Sequence, residues 1–139
     1  MKSLYFDTNI FIYQSSPQST LHKKSFELMR ACHKKNISIY TSAETCQEIM
    51  YYMQRTKQLK KGVRACLYTL RLAQNLCITK ETIKQYLSLL NKNKTLMSRD
   101  ALHLASCIEH NIDAFVTHDK QLIQAQITTT YKPQDIIAL

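Results

Sequence analysis

Glycine is nearly absent from this sequence, since Gly62 is the only one among 139 residues. A P-loop or a dinucleotide-binding turn needs several glycines at fixed spacing to let the backbone approach phosphate. The sequence therefore excludes both kinds of nucleotide site. Internal repeats and low-complexity segments are also lacking, and no Cys or His spacing matches a zinc site.

Cysteine is present but never in a CxxC pair, at positions 32, 46, 66, 77 and 107. An odd set of scattered cysteines favours reduced thiols, so we expect a cytoplasmic protein. The first apolar segment is interrupted by Asp7 and has no small-residue cleavage site. We therefore expect neither a signal peptide nor a membrane anchor.

The charge balance is strongly basic, because nineteen Lys and Arg against ten Asp and Glu give a net charge of +9. A basic surface suits a polyanion such as nucleic acid, although an ordinary solvated surface explains the same balance. With 45% apolar and 21% charged residues, the sequence predicts one globular domain over residues 1–139.

Short apolar runs predict strands at residues 3–7, 37–41 and 113–117, with a possible fourth strand near 127–130. Helical periodicity covers residues 21–35, 43–56, 60–74, 80–91 and 99–110. Strands that alternate with helices predict an α/β fold with a parallel sheet. In such a sheet the carboxyl ends of the strands form the binding edge, and Asp7 and Asp119 follow two of these ends.

Each of these acids also has a purely structural explanation. Asp7 and Asp119 precede helical segments and could be N-caps. Asp100 could be a first-turn acid after a Ser98 cap. Glu44 and Glu48 form a like-charge i,i+4 pair, which is slightly unfavourable unless a cation lies nearby.

Four segments, DTNIFIY, TSAETCQE, RDALHLA and FVTHD, occur in that order on the alternating strands and helices. Together they resemble the PIN-domain family, most closely its VapC-like ribonuclease toxins of type II toxin–antitoxin systems. The resemblance spans residues 1–122 and implies a three-layer α/β/α fold around a parallel sheet of four or five short strands. It also implies an acidic site that binds metal and carries out catalysis, formed by Asp7, Glu48, Asp100 and Asp119. Two polar neighbours, Asn9 and Thr117, are implied to orient these acids. Glu44 has no counterpart in the family pattern, and its participation stays open.

The chemistry of clustered carboxylates agrees with this resemblance. Their mutual repulsion is relieved by a cation, and oxygen ligands suit Mg²⁺ or Mn²⁺ better than zinc. Two such ions about 4 Å apart can activate a water and stabilise the leaving oxygen in phosphodiester hydrolysis. The sequence thus predicts an endoribonuclease that uses one or two ions, and the toxin resemblance implies an antitoxin partner and a homodimer.

Two other functions stay open, namely a housekeeping RNA-processing nuclease and a PIN-like module that binds RNA without cutting it. A phosphoryl-accepting receiver domain is disfavoured because the middle strand ends in YTS rather than Asp. A phosphatase with an Asp-x-Asp nucleophile is disfavoured because residue 9 is Asn.

Candidate RNA contacts come from the 57–73 region, where basic groups and one tyrosine recur at helical spacing: Lys57, Lys61, Arg64, Tyr68 and Arg71. Such a face can follow a backbone and stack a base, although a solvated face has the same pattern. Val63, Cys66, Leu67 and Leu70 are then expected on the opposite, buried face. His118 beside Asp119 is a further candidate, whereas the other histidines are expected at the surface or in satisfied core positions.

Overall fold

Five short strands form the centre of the computed structural model, which describes residues 1–139. They are β1 (Ser3–Phe6), β2 (Ser38–Ser42), β3 (Gln74–Leu76), β4 (Ala114–Val116) and β5 (Thr130–Tyr131). Every pairing is parallel, and the strand order is β3-β2-β1-β4-β5. The central position of β1 brings its carboxyl end between those of β2 and β4.

Eight helices connect and cover the strands: α1 (Thr8–Gln14), α2 (His22–Lys34), α3 (Ala43–Arg55), α4 (Leu59–Leu72), α5 (Lys80–Lys92), α6 (Ser98–Glu109), α7 (Lys120–Ala125) and α8 (Pro133–Ala138). Apolar side chains from α1 to α4 and from α8 pack on one sheet face, and those from α5 to α7 on the other. The predicted three-layer α/β/α fold is confirmed.

The alternation of side chains along β1 explains why both faces need a helical layer. Leu4 and Phe6 belong to one core cluster and Tyr5 belongs to the other, where it stacks on Phe115 at 5.4 Å between ring centroids. A strand that is apolar on both faces is typical of a parallel sheet covered on both sides. No helix of the structure combines the length and the apolarity needed to cross a membrane.

Helix α4 packs closely on α3, and Gly62 lies at the contact. A Cβ atom at this position would stand 2.8 Å from the Cβ of Met53 on α3. The buried residues of α4 are therefore small or polar: Gly62, Ala65 and Thr69. The expected buried face was wrong for Val63, Leu67 and Leu70, which are 45%, 56% and 52% exposed, whereas Cys66 does pack against the core. Because α4 lies close to α3, only small residues fit at their contact. The large apolar residues of α4 are therefore left exposed to solvent.

Candidate active site

All four predicted acids line one cavity of about 330 Å³ at the carboxyl edge of the sheet. Asp7 directly follows β1, and Asp119 follows the neighbouring strand β4 by three residues. Glu48 reaches the cavity from α3 and Asp100 from the first turn of α6. The topology thus brings together acids that are far apart in the chain.

Asp7 is both the N-cap of α1 and the most buried acid of the cavity. Its Oδ1 accepts a hydrogen bond from the Thr8 N–H at 2.7 Å. Its Oδ2 accepts from Asn9 Nδ2 at 3.1 Å and from Thr117 Oγ1 at 2.6 Å. Burial raises the pKa of Asp7, while the charge of His103 and the Thr117 hydrogen bond oppose that rise. Asp7 is therefore an N-cap that also lines the cavity, and its role in catalysis stays a prediction.

Thr117 and Asn9 connect the ends of β1 and β4. The Thr117 hydroxyl accepts from the Asp119 N–H at 3.0 Å while it donates to Asp7. The Asn9 amide nitrogen also lies 3.0 Å from that hydroxyl, and the Asn9 oxygen accepts from the His118 N–H. Asp119 in turn caps α7 through a 2.8 Å hydrogen bond from the Gln121 N–H. The two predicted supporting residues therefore contact the acids they were expected to orient.

Sequence reasoning missed His103, which was expected to be a satisfied core or surface residue. This buried side chain does form hydrogen bonds, but one of them goes to the site: His103 Nε2 lies 2.9 Å from Glu48 Oε1. Its Nδ1 lies 2.7 Å from the Tyr5 hydroxyl. The available signal was its position three residues after Asp100, on the same side of α6.

The proton on His103 Nε2 is fixed by a chain of hydroxyl groups. Thr41 donates to the Phe6 carbonyl at 3.1 Å, so its oxygen accepts from Thr45 at 2.6 Å. Thr8 donates to Thr45 at 3.3 Å. The Thr8 oxygen, 3.1 Å from His103 Nε2, can therefore only accept. Because a carboxylate also only accepts, both neighbours of Nε2 require it to carry a proton.

The His103 contact changes the electrostatics of Glu48. Burial alone would raise the pKa of Glu48, but the hydrogen bond and the charge of His103 hold it below its ordinary range. Burial would lower the pKa of His103, and the Glu48 hydrogen bond with the charge of Asp7 raises it instead. Both shifts favour a charged pair at the inner wall of the cavity.

Asp100 makes no hydrogen bond within the protein, unlike the other three acids. Burial, followed by repulsion from Asp7 and Asp119, raises its pKa to about 6. The N-cap of α6 is Met97 and not the predicted Ser98, which is the first residue of the helix and lies 2.7 Å from the Tyr86 hydroxyl. Asp100 therefore lies beside other carboxylates without a hydrogen-bond donor of its own.

The donor set fits a hard cation such as Mg²⁺ or Mn²⁺, because it consists of carboxylate oxygens. Both oxygens of Asp100 and Oδ2 of Asp119 make no hydrogen bond within the protein, and His103 contacts one oxygen of Glu48. No three acidic, His or Cys side chains lie close enough to hold an ion as they are arranged. An ion such as Mg²⁺, which keeps several waters, would need only one or two of these carboxylates as direct ligands. Glu44 does not line the cavity, and burial, followed by repulsion from Glu48, raises its pKa.

The predicted RNA contacts on α4 lie outside this cavity. Lys57 precedes α4 in a turn with φ of 56°, and Lys61, Arg64 and Arg71 follow along the helix. Tyr68 is half-buried and packs against the core. The role of this helix in RNA binding stays a prediction.

His118 also lies outside the acidic cavity. Its ring packs edge-on against Tyr13 with 5.2 Å between centroids, and its Nε2 is buried without a partner. Burial, with the charge of Lys24, lowers its pKa to about 4. His118 is thus neutral at physiological pH, and substrate contact by this residue stays a prediction.

Solved structures share the fold along nearly the whole chain. VapBC2 from Rickettsia felis, bound to a promoter DNA fragment, gives a TM-score of 0.76 at 16% identity, covering 94% of this chain and 98% of that one. A toxin–antitoxin complex from Klebsiella pneumoniae gives 0.70 at 21% identity, covering 94% and 97%. The sarcin-ricin loop cleaving toxin VapC20 from Mycobacterium tuberculosis gives 0.75 at 16% identity, covering 90% and 96%. At such identities these likenesses establish the fold alone.

The sequence comparisons add the family. A search of curated proteins finds no significant match. The family model described as PIN domain, however, matches residues 4–127. This match includes β1 to β4 and all four acids of the cavity. The chain therefore belongs to the PIN-domain family.

Proposed function

We propose that this protein is a metal-dependent endoribonuclease that hydrolyses RNA phosphodiester bonds. The observation that carries the proposal is the cavity at the carboxyl edge of the sheet, which four acids from separate elements line. Membership of the PIN-domain family supports a nuclease. A protein that only bound RNA would gain nothing from this cluster, because carboxylates repel phosphate.

The proposed cofactor is Mg²⁺ or Mn²⁺, with one or two ions held by Asp7, Glu48, Asp100 and Asp119. When bound, such an ion lowers the pKa of water and stabilises the leaving oxygen. The residues of the chain hold the ligands in place: three donors fix Asp7, and His103 holds one oxygen of Glu48. Asp100 has both oxygens available, which suits it to bind the ion or to accept a proton from the attacking water.

We further propose that the nuclease is the toxin of a toxin–antitoxin pair in the cytoplasm. The structural neighbours include toxin–antitoxin complexes, and this supports the proposal through the shared fold. The acids that line the cavity could bind a basic side chain of an antitoxin, because an Arg fork pairs with carboxylates. A homodimer is also proposed, and light scattering of the purified protein tests it.

The direct test is cleavage of end-labelled RNA by the purified protein in Mg²⁺, Mn²⁺, Zn²⁺ or EDTA. We expect cleavage with Mg²⁺ or Mn²⁺, none with EDTA, and no recovery with Zn²⁺ alone. Asp100→Asn should remove cleavage, whereas Glu81→Gln, an exposed acid on α5, should retain it. Undiminished cleavage in EDTA would contradict the metal mechanism, and binding of RNA without cleavage would favour the binding module.

A further inference from the structure

A second cavity of about 470 Å³ adjoins the acidic one on the side of α3. The two cavities share Ile12, Glu48 and Arg99, so they form one continuous groove. Two tyrosines and two arginines dominate its lining: Tyr51, Tyr52, Arg55 and Arg99. We name this part of the groove the tyrosine–arginine cleft.

The cleft follows one face of α3 away from the acids. Tyr51 and Tyr52 stand three and four residues after Glu48, and Arg55 stands seven after it. Such spacing places all four on the same side of a helix. Tyr51 is 49% exposed and Tyr52 is 45% exposed, although large aromatic side chains gain free energy from burial. The helix that supplies one acid therefore also presents two half-exposed aromatic rings beside it.

Arg55 is held against Tyr51 rather than against an acid. Its guanidinium carbon lies 5.5 Å from the centre of the Tyr51 ring, and its Nη1 donates to the Tyr51 hydroxyl at 3.4 Å. Neither Arg55 nor Arg99 forms a salt bridge within the protein. Neither guanidinium group is therefore held in a salt bridge, and Arg99 lies where the acidic cavity and the cleft meet.

We propose that the tyrosine–arginine cleft binds an unpaired nucleotide of the RNA substrate next to the scissile phosphate, and this rests on the proposed function. Tyr51 stacks on the base, while Arg55 and Arg99 contact the flanking phosphates. Stacking on aromatic rings combined with a cationic groove is how proteins hold single strands. The charge complementarity favours this occupant, since the acidic cavity needs adjacent cations to admit a phosphate backbone.

The cleft also differs from the cavity on the other side of the acids. That cavity, of about 430 Å³, has no basic residue in its lining and presents the amides of Asn93, Gln121 and Gln124. A strand that crosses the acids would therefore meet cations and aromatic rings on one side only. The cleft is the place where phosphate contacts should concentrate.

The test measures the binding of a fluorescein-labelled single-stranded RNA of twelve nucleotides by anisotropy in Mg²⁺. All variants carry Asp100→Asn, so that the RNA stays intact. We expect Tyr51→Leu to weaken binding by at least about fivefold, because loss of one stacked base costs roughly 1 to 3 kcal/mol. Arg55→Gln and Arg99→Gln should each weaken binding and lower the slope of log Kd against log salt by about 0.7. Tyr51→Leu should leave that slope unchanged.

Matched controls come from α2, away from the groove. Arg30→Gln removes one exposed charge, and Phe26→Leu removes one exposed ring, so both should bind RNA like the parent. Circular dichroism checks that every variant folds. Arg71→Gln tests α4 in the same assay.

The outcomes separate this proposal from the proposed function. Cleavage by the wild type, with unchanged RNA binding by all three cleft variants, would overturn the cleft alone. RNA binding that depends on the cleft, without any cleavage by the wild type, would overturn the nuclease and retain the cleft. If the cleft variants lose binding to the protein of the adjacent gene but bind RNA normally, the occupant is a protein and the proposal fails. If Arg71→Gln weakens RNA binding more than Arg55→Gln and Arg99→Gln do, the RNA binds on α4 and the proposal fails.

Discussion

His103 Nε2 donates a hydrogen bond to Glu48 Oε1 across 2.9 Å, from α6 to α3. The residues are 55 positions apart in the chain, and the histidine is buried. One carboxylate oxygen of Glu48 is thereby fixed, while the other is left toward the acidic cavity. A partner that orients a metal ligand in this way can affect metal affinity as strongly as some ligands do.

Replacing His103 by Gln or by Asn distinguishes the roles of its two ring nitrogens. A Gln amide reaches the position of Nε2 and can still donate to Glu48, whereas an Asn amide reaches only the position of Nδ1. We expect His103→Asn to weaken Mn²⁺ binding and cleavage by about 10- to 100-fold, and His103→Gln to lose much less. Electron paramagnetic resonance titration with Mn²⁺ measures the affinity, and urea denaturation measures the stability of both variants. Equal losses in the two variants would show that the donor toward Glu48 is unimportant.

Asp100 should make stability depend on pH in the absence of metal. Its pKa is raised from an ordinary value of 3.8 to about 6 in the fold, so the native state binds more protons than the unfolded chain in this range. The free energy of unfolding therefore falls as pH rises from about 4 to 6. Asp100→Asn lacks this contribution and should gain stability relative to the wild type across that window. Urea titrations in EDTA measure the difference, which should shrink when Mg²⁺ is added.

Asp7→Asn should remove cleavage at a cost in stability that Asp100→Asn does not have. The carboxylate of Asp7 accepts three hydrogen bonds, and an amide has only one oxygen to replace two. At least one buried donor then lacks an acceptor, which costs about 1–3 kcal/mol, and removal of the buried charge, whose burial raises the pKa of Asp7, offsets part of that cost. Thermal and urea denaturation test whether Asp7→Asn is less stable than Asp100→Asn. A fully stable Asp7→Asn protein would show that the site relaxes around the amide.

Gly62→Ala should destabilise the protein, although Ala normally favours a helix over Gly by about 1 kcal/mol. The added Cβ would stand 2.8 Å from the Cβ of Met53, and shortening the Met53 side chain would not remove that contact. Overpacking of this kind costs about 1–3 kcal/mol. Because α3 carries Glu48, cleavage should fall as well. Lys60→Ala, an exposed change on the same helix, is the control and should be within about 0.5 kcal/mol of wild type.

Expression of the wild-type chain alone should arrest bacterial growth if the protein is a toxin. Asp100→Asn should be harmless, and co-expression of the adjacent gene should restore growth to the wild-type strain. Growth curves, with immunoblots to match expression, measure the effect. Strong cleavage in vitro without any growth defect would instead support a housekeeping nuclease.

Sequence reasoning placed Asp7 and Asp119 at one edge of the sheet, because parallel strands deliver their carboxyl ends to the same edge and these acids follow two of them. Glu48 and Asp100 were assigned only from the resemblance to the PIN-domain family. Strand β3 was not predicted, because Gln74–Leu76 contains no β-branched or aromatic residue. This segment becomes a strand through its pairing with β2. The orientation of α4 was also missed. Periodicity assigns large apolar residues to the core, but here the close approach at Gly62 decides which face is buried. The contact between His103 and Glu48 joins two helices that no local pattern relates.

Asp7 begins helix α1 and is also the most buried acid of the cavity, so one carboxylate serves folding and the proposed activity together. A selection for cells that survive toxin expression would therefore recover different classes of mutation at the two aspartates. Changes at Asp100 would yield abundant, inactive protein that can still bind an antitoxin. Changes at Asp7 would lower abundance as well, because less stable chains are degraded in cells. Only the first class would accumulate as a stable decoy that titrates the antitoxin away from an active copy.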